Sequence, residues 1–179
     1  MNWNNLEQKI SNAVKDAYLD IVKNLSQEKI YAFAIYTDAD CYTVLPTANT
    51  QKKHEEKISR EAVTTPSEKA GYKWYIGEWA YEAWRGELFD DICDELSSAA
   101  EVACLTDTHS AFKKSAHQCL LNSLLKLRNE GLFSNAESDF VVFISSSDYD
   151  EAISLENWSA KILNSQSIYE KFERRYKTS

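Results

Sequence analysis

The chain has 179 residues, 44% of them apolar and 27% charged, with 20 basic against 28 acidic side chains and a net charge of −8 at neutral pH. That is the length of one domain, whose core needs neither metal nor disulfide, and the composition excludes wholesale disorder. Only 4 Gly and 2 Pro argue against a turn-rich all-β sandwich or barrel, and the acidic balance argues against direct binding of a phosphate backbone.

The first residues, Met1-Asn2-Trp3-Asn4-Asn5-Leu6-Glu7, lack the basic and apolar regions of a signal peptide. No stretch without Asp, Glu, Lys or Arg exceeds 11 residues, against the roughly 20 apolar residues of a membrane span. Four cysteines (Cys41, Cys93, Cys104, Cys119) lie far apart with no CxxC pair, as expected of reduced thiols. These features predict a cytoplasmic protein.

Residues 3–25 place Trp3, Leu6, Ile10, Val14, Ala17, Ile21 and Leu25 at steps of three and four, which is one helical stripe. The run 30–37 is apolar and aromatic, as in a strand covered on both faces. Asp38-Ala39-Asp40 is turn chemistry, and Cys41 to Leu45 resumes as a strand ending at Pro46, so the two runs predict a hairpin. Asn49 or Thr50 caps a polar helix to about Val63, followed by a loop at Thr64-Thr65-Pro66-Ser67.

Residues 72–84 hold six aromatics, with a strand expected over Tyr72–Ile76 and a bend at Gly77. Helices are expected over 87–104 and 109–130, the second closed by Gly131 as a left-handed cap. Phe140–Ile144 reads as a buried strand. Asp148 with Glu151 reads as a capping box opening a helix to about Leu163, and a last, basic helix spans about 165–176. The whole chain, 1–179, therefore predicts one α+β domain: a small antiparallel sheet of three or four strands packed by five or six helices.

Few residues carry a chemical motif. Cys104, His109, His117 and Cys119 match no zinc spacing, and His117 and Cys119 point about 200° apart round a helix. Cys41 with His54 or His109 would make a nucleophile only if the fold brought them together. There is no GxSxG, glycine-rich phosphate loop or HExxH. Asp38 and Asp40 suit a turn, while Asp148, Asp150 and Glu151 suit a helix start.

The segment Gly86–Asp107 is more informative. It carries Glu87, Asp90, Asp91, Asp94, Glu95, Glu101 and Asp107 without a Lys or Arg. On a helix Glu87, Asp91, Asp94 and Glu95 share neighbouring rows, where like charges repel, so the excess points to a basic partner or to a merely solvated face. The aromatic block serves the core, with exposed members available to a protein interface, since Lys73 and Arg85 are too few for nucleic acid.

Three blocks in order, Tyr31-Ala32-Phe33-Ala34-Ile35-Tyr36-Thr37-Asp38, Pro46-Thr47-Ala48-Asn49-Thr50, and Trp74 leading to Glu78-Trp79-Ala80-Tyr81-Glu82, resemble the bacterial domain-of-unknown-function family 4303 over about residues 5–165. Where members usually carry Ser-Pro before the Glu-Trp pair, this chain has Ile76-Gly77. Members look like immunity proteins of polymorphic or contact-dependent toxin systems. The resemblance thus implies a cytoplasmic antitoxin that occludes one cognate toxin domain, a nuclease and by preference an RNase.

Acidity fits the cover of a basic cleft independently. The expected toxin-binding residues are Glu78, Trp79, Tyr81, Glu82, Glu87, Asp90, Asp91, Asp94 and Glu95. No catalytic, cofactor-binding or metal-binding residue is expected, and the partner is a toxin domain rather than nucleic acid or a membrane. The alternatives are a small enzyme using Cys/His or carboxylate chemistry, and an acidic scaffold for another basic protein.

Overall fold

In the computed structural model, residues 1–134, 136 and 138–177 are described. The apolar run Ile30–Thr37 forms β1, an inner strand of a four-stranded sheet ordered β3-β2-β1-β4. It pairs antiparallel with β2 (Val44–Thr50), setting Ala34 opposite Thr47, and parallel with β4 (Val141–Ser146), setting Ala34 opposite Phe143. The fourth strand, β3, is only Tyr81–Glu82, against Thr47 and Ala48 of β2. The sheet is therefore mixed, not antiparallel as expected. A strand's own residues do not encode its direction, and the long helical connection from β1 to β4 lets the chain return parallel.

Seven α-helices, one or two more than expected, surround it among the described residues: α1 (Trp3–Asn24), α2 (Gln51–Arg60), α3 (Pro66–Trp74), α4 (Asp90–Leu105), α5 (His109–Asn129), α6 (Tyr149–Leu163) and α7 (Gln166–Glu173). The helix α3 replaces the expected loop at 64–67 and strand at 72–76. Thr65 and Glu68 form a reciprocal capping box with Pro66 at the first helical position, a signal present in the sequence. Gly131 (φ 84°) ends α5 as expected, since Leu132 N–H donates to Leu127 O and Gly131 N–H to Arg128 O.

The hairpin also differs. Asp38 accepts from the N–H groups of Asp40, Tyr42 and Thr43 and from the Thr43 hydroxyl, winding 38–43 into a loop. Burial opposes ionisation of Asp38, but these hydrogen bonds outweigh it and hold the carboxyl below its ordinary range. Cys41 takes the left-handed region at φ 59°, which no strand allows, so β2 starts only at Val44. It then runs through Pro46, where the two-residue β3 does not reach and the missing N–H strands no partner.

Phe33, Ile35, Val142 and Ile144 pack one face of the sheet against α1, α4 and α5. Tyr31, Ala34, Val141 and Phe143 pack the other against Trp79 and, from α7, Tyr169 and Phe172. The helix α6 straddles the outer edge of β4, giving Leu155 and Leu163 to the first core and Ala160 to the second. An edge strand buried along its whole length needs its outward amides paired. Asn164, the cap of α6, accepts from Val142 N–H at 3.0 Å and donates to Val142 O at 2.7 Å. Ser159 accepts from Ile144 N–H at 2.9 Å.

Two side chains thus stand in for a fifth strand. Asn164→Leu leaves both backbone groups of Val142 without a partner and should cost about 2–4 kcal/mol, read from urea unfolding. Asn164→Asp keeps the acceptor only and should fall between; a loss within about 0.5 kcal/mol for both would show that the edge is not held this way.

Candidate functional site

The residues expected to meet a partner do not form one surface. Trp79 is only 5% exposed, its indole N–H donating to Lys73 O at 2.9 Å and its ring set edge-on to Tyr31 and Phe143. It is a core residue, not an exposed aromatic; the 3₁₀ turn Ile76–Glu78 folds it inward beneath α3. Tyr81 is half-buried against Trp84, with its hydroxyl on Glu28 at 3.1 Å. Glu82 is exposed and accepts from Tyr36, and Glu78 pairs with Lys57 at 2.7 Å.

Asp90, Asp91 and Asp94 are exposed on α4, with Glu87 on the 3₁₀ turn Gly86–Phe89 before it. The expected lack of compensation is corrected here. Arg85 pairs with Glu87, and Lys9 of α1 pairs with Glu95. Asp90 and Asp91 occupy the first turn of α4, where the positive end of the helix dipole favours them. Compensation comes from Arg85 at the segment's edge, from the start of α4 and from Lys9 of α1, of which only Lys9 lies beyond a local window.

Packing also brings in acids of α1. Asp20 of α1 accepts from Trp84 Nε1 at 2.7 Å and lies 3.6 Å from Arg85. The Arg85 guanidinium is pushed up first by its hydrogen bond to Glu87, with Asp20 and Asp16 adding to the field. Asp16, Asp20 and Glu87 thus gather about Arg85, Asp91 lies near Lys9, and Asp90 and Asp94 continue the acidic ridge along α4.

A second feature lies beyond the carboxyl ends of the parallel strands, where Ser147 N–H donates to Thr37 O at 2.9 Å. A cleft of about 750 Å³ opens there between α5 and α6. His117 lines it and, behind His117, Cys41 Sγ lies 3.4 Å from Nε2. The base that meets Cys41 is thus His117, not His54 or His109. His54 packs edge-on to Tyr31, and His109 stacks on Phe112 with Nε2 3.3 Å from Asp40 O.

Burial pushes the Cys41 thiol up to about 11 and lowers His117. At neutral pH both are uncharged: a thiol beside an imidazole, not a thiolate–imidazolium pair. Cys41 itself is 1% exposed. The other cysteines are dispersed, with Cys119 on Trp3 O at 3.7 Å and Cys104 beside the Tyr42 hydroxyl at 3.9 Å. Among the described residues no three His, Cys, Asp or Glu side chains are placed to hold a metal ion. No helix among them is long and apolar enough to cross a membrane.

No curated protein and no solved structure matches the chain. A family profile described as "Domain of unknown function (DUF4303)" matches residues 10–165. That span runs from within α1 to just past α6 and contains all four strands, both flanks of the cleft and every acid of the ridge. The chain belongs to the DUF4303 family.

Proposed function

We propose that the chain is a binding protein of the immunity type, which neutralises a bacterial toxin domain in the cytoplasm without catalysis of its own. The observation that carries this reading is the acidic ridge: Asp90, Asp91 and Asp94 stand exposed at the start of α4, Asp16, Asp20 and Glu87 gather about Arg85, and among the described residues Arg85 and Lys9 are the cations paired with acids there. A field of one sign on a rigid two-helix platform steers a basic surface toward it. The basic substrate cleft of a nuclease, by preference an RNase, has the matching chemistry. Glu82 and the rim of Tyr81 extend the contact, while Trp79 supports them from the core.

Asp90→Asn, Asp91→Asn and Asp94→Asn together test this. Removing two first-turn acids should cost the fold only about 0.3–1 kcal/mol each, because the helix dipole loses its partners. Association with the toxin domain captured on the wild-type chain should slow by about tenfold or more at low salt, and the difference should shrink as salt screens the ridge. Equal association rates for both proteins at every salt would leave the ridge as a solvated face.

The Cys41–His117 contact favours a second reading, thiol chemistry served from the cleft. Against it stand the burial of Cys41 behind His117 and the neutral state of both groups. With a thiol pushed up to about 11, only about one part in ten thousand is thiolate at pH 7. Iodoacetamide should therefore label exposed Cys104 well before Cys41 at pH 7, with Cys41 labelling rising steeply only in alkali. Preferential labelling of Cys41 at pH 7, abolished in His117→Ala, would reverse the order of the two readings.

A further inference from the structure

We propose that the cleft between α5 and α6 is a binding site for a small carboxylate with a flat ring, independent of the acidic ridge and of any toxin contact. The place favours a ligand: in sheets with parallel neighbours, crevices outside the strands' carboxyl ends collect small molecules. At about 750 Å³ the cleft is of ordinary ligand size.

Its lining is more basic than the chain as a whole, with Lys113 and Lys114 against one carboxylate, Glu151, in a protein of net charge −8. Glu151 binds Lys113 at 2.8 Å, and Asp148 adds to the negative field on Lys113, so those charges answer one another. Lys114 is exposed and, among the described residues, has no ion-pair partner. Chemistry beyond charge narrows the ligand. Ser110 and Trp158 line the cleft, and among the described residues neither the Ser110 hydroxyl nor the Trp158 indole N–H donates to a protein atom. Such a lining selects an anion over a cation or a neutral base.

One lysine without an ion-pair partner suits a monoanion better than a phosphate dianion. Trp158, 38% exposed, and Leu155 beside it offer an apolar wall to a planar body. A carboxylate on Lys114 and Ser110, one turn apart on α5, with its ring on the Trp158 face, uses each of these groups once.

Indole N–H resonances of the ¹⁵N-labelled full chain test this, the Trp158 peak among the five tryptophans being assigned with Trp158→Phe. Benzoate should shift that peak saturably with a Kd near or below about 1 mM, within reach of a ligand this small. Benzamide, which has the ring without the charge, and acetate, which has the charge without the ring, should each bind at least about tenfold more weakly. Lys114→Met should weaken benzoate by about tenfold and Lys114→Arg by less than about threefold, both on an exposed position that folding tolerates.

A Trp158 peak unmoved by about 10 mM benzoate overturns the site, since no useful affinity is then left. So does a shift of equal affinity with benzamide, or one indifferent to Lys114→Met. Tighter binding of inorganic phosphate than of benzoate overturns the assigned ligand class.

Discussion

The parallel pairing of β1 with β4 is the constraint on which the remaining architecture depends. Two parallel neighbours need a long connection between them, and the chain supplies it with α2 to α5 and the short β3. The pairing makes β4 an edge strand while burying it, so its outward amides need partners. Asn164 and Ser159 provide them from α6. It also ends both strands side by side, which opens the cleft between α5 and α6 above Cys41 and His117. The apolar side chains of β4 would have packed as well in an antiparallel pairing. That arrangement would have aimed its carboxyl end away from the Asp38 loop.

Charge is distributed with the same logic. A net charge of −8 describes no single place on the surface. Acids of α1 and the start of α4 converge on one ridge, two of them on the positive end of a helix dipole and two others on Arg85 and Lys9. The cleft, on different helices, is lined by two lysines against one glutamate. An average over the chain predicts a basic partner and nothing else. Local fields allow two contacts of opposite sign, because exposed charges farther apart than a Debye length of about 8 Å scarcely sense each other.

Legibility in the sequence followed the range of the interactions involved. Where the determining contacts are local, sequence sufficed: the α1 stripe, both ends of β1 and the Gly131 cap all appear as read. The capping box at Thr65–Glu68 is equally local and was overlooked beside Pro66, whose usual meaning as a breaker masked its role at a helix start. Direction of β4, the inward turn of Trp79 and the meeting of Cys41 with His117 depend on residues distant in the chain. No spacing rule reaches those. The aromatic block illustrates the difference: its content was plain, but only the tertiary fold decides that Trp79 lies on Phe143 while Tyr75 faces solvent.

The last helix shows how far the sheet's requirements extend. Among its basic residues Lys171 and Arg174 are exposed. Arg175 instead turns inward, bonding Glu156 at 2.6 Å and Asn157 at 2.6 Å and lying flat on Phe172 with 4.0 Å to the ring centroid. Glu156 in turn accepts from Ser145 of β4 at 2.7 Å. Desolvation drives the Glu156 carboxyl upward, and the guanidinium beside it works against that rise. A buried pair of this kind adds little over an apolar replacement of both partners, yet losing one alone costs about 3–5 kcal/mol. The matched family span ends at residue 165, before α7. In this chain that helix is nonetheless part of the core, because Glu156 sits on the strand that β1 pairs with and has its cation only there. Phe172 completes the same joint by packing on Phe143 and Trp74. The covered edge of β4 therefore needs α6 to satisfy its backbone and Arg175, in the turn that follows α7, to neutralise what α6 buries.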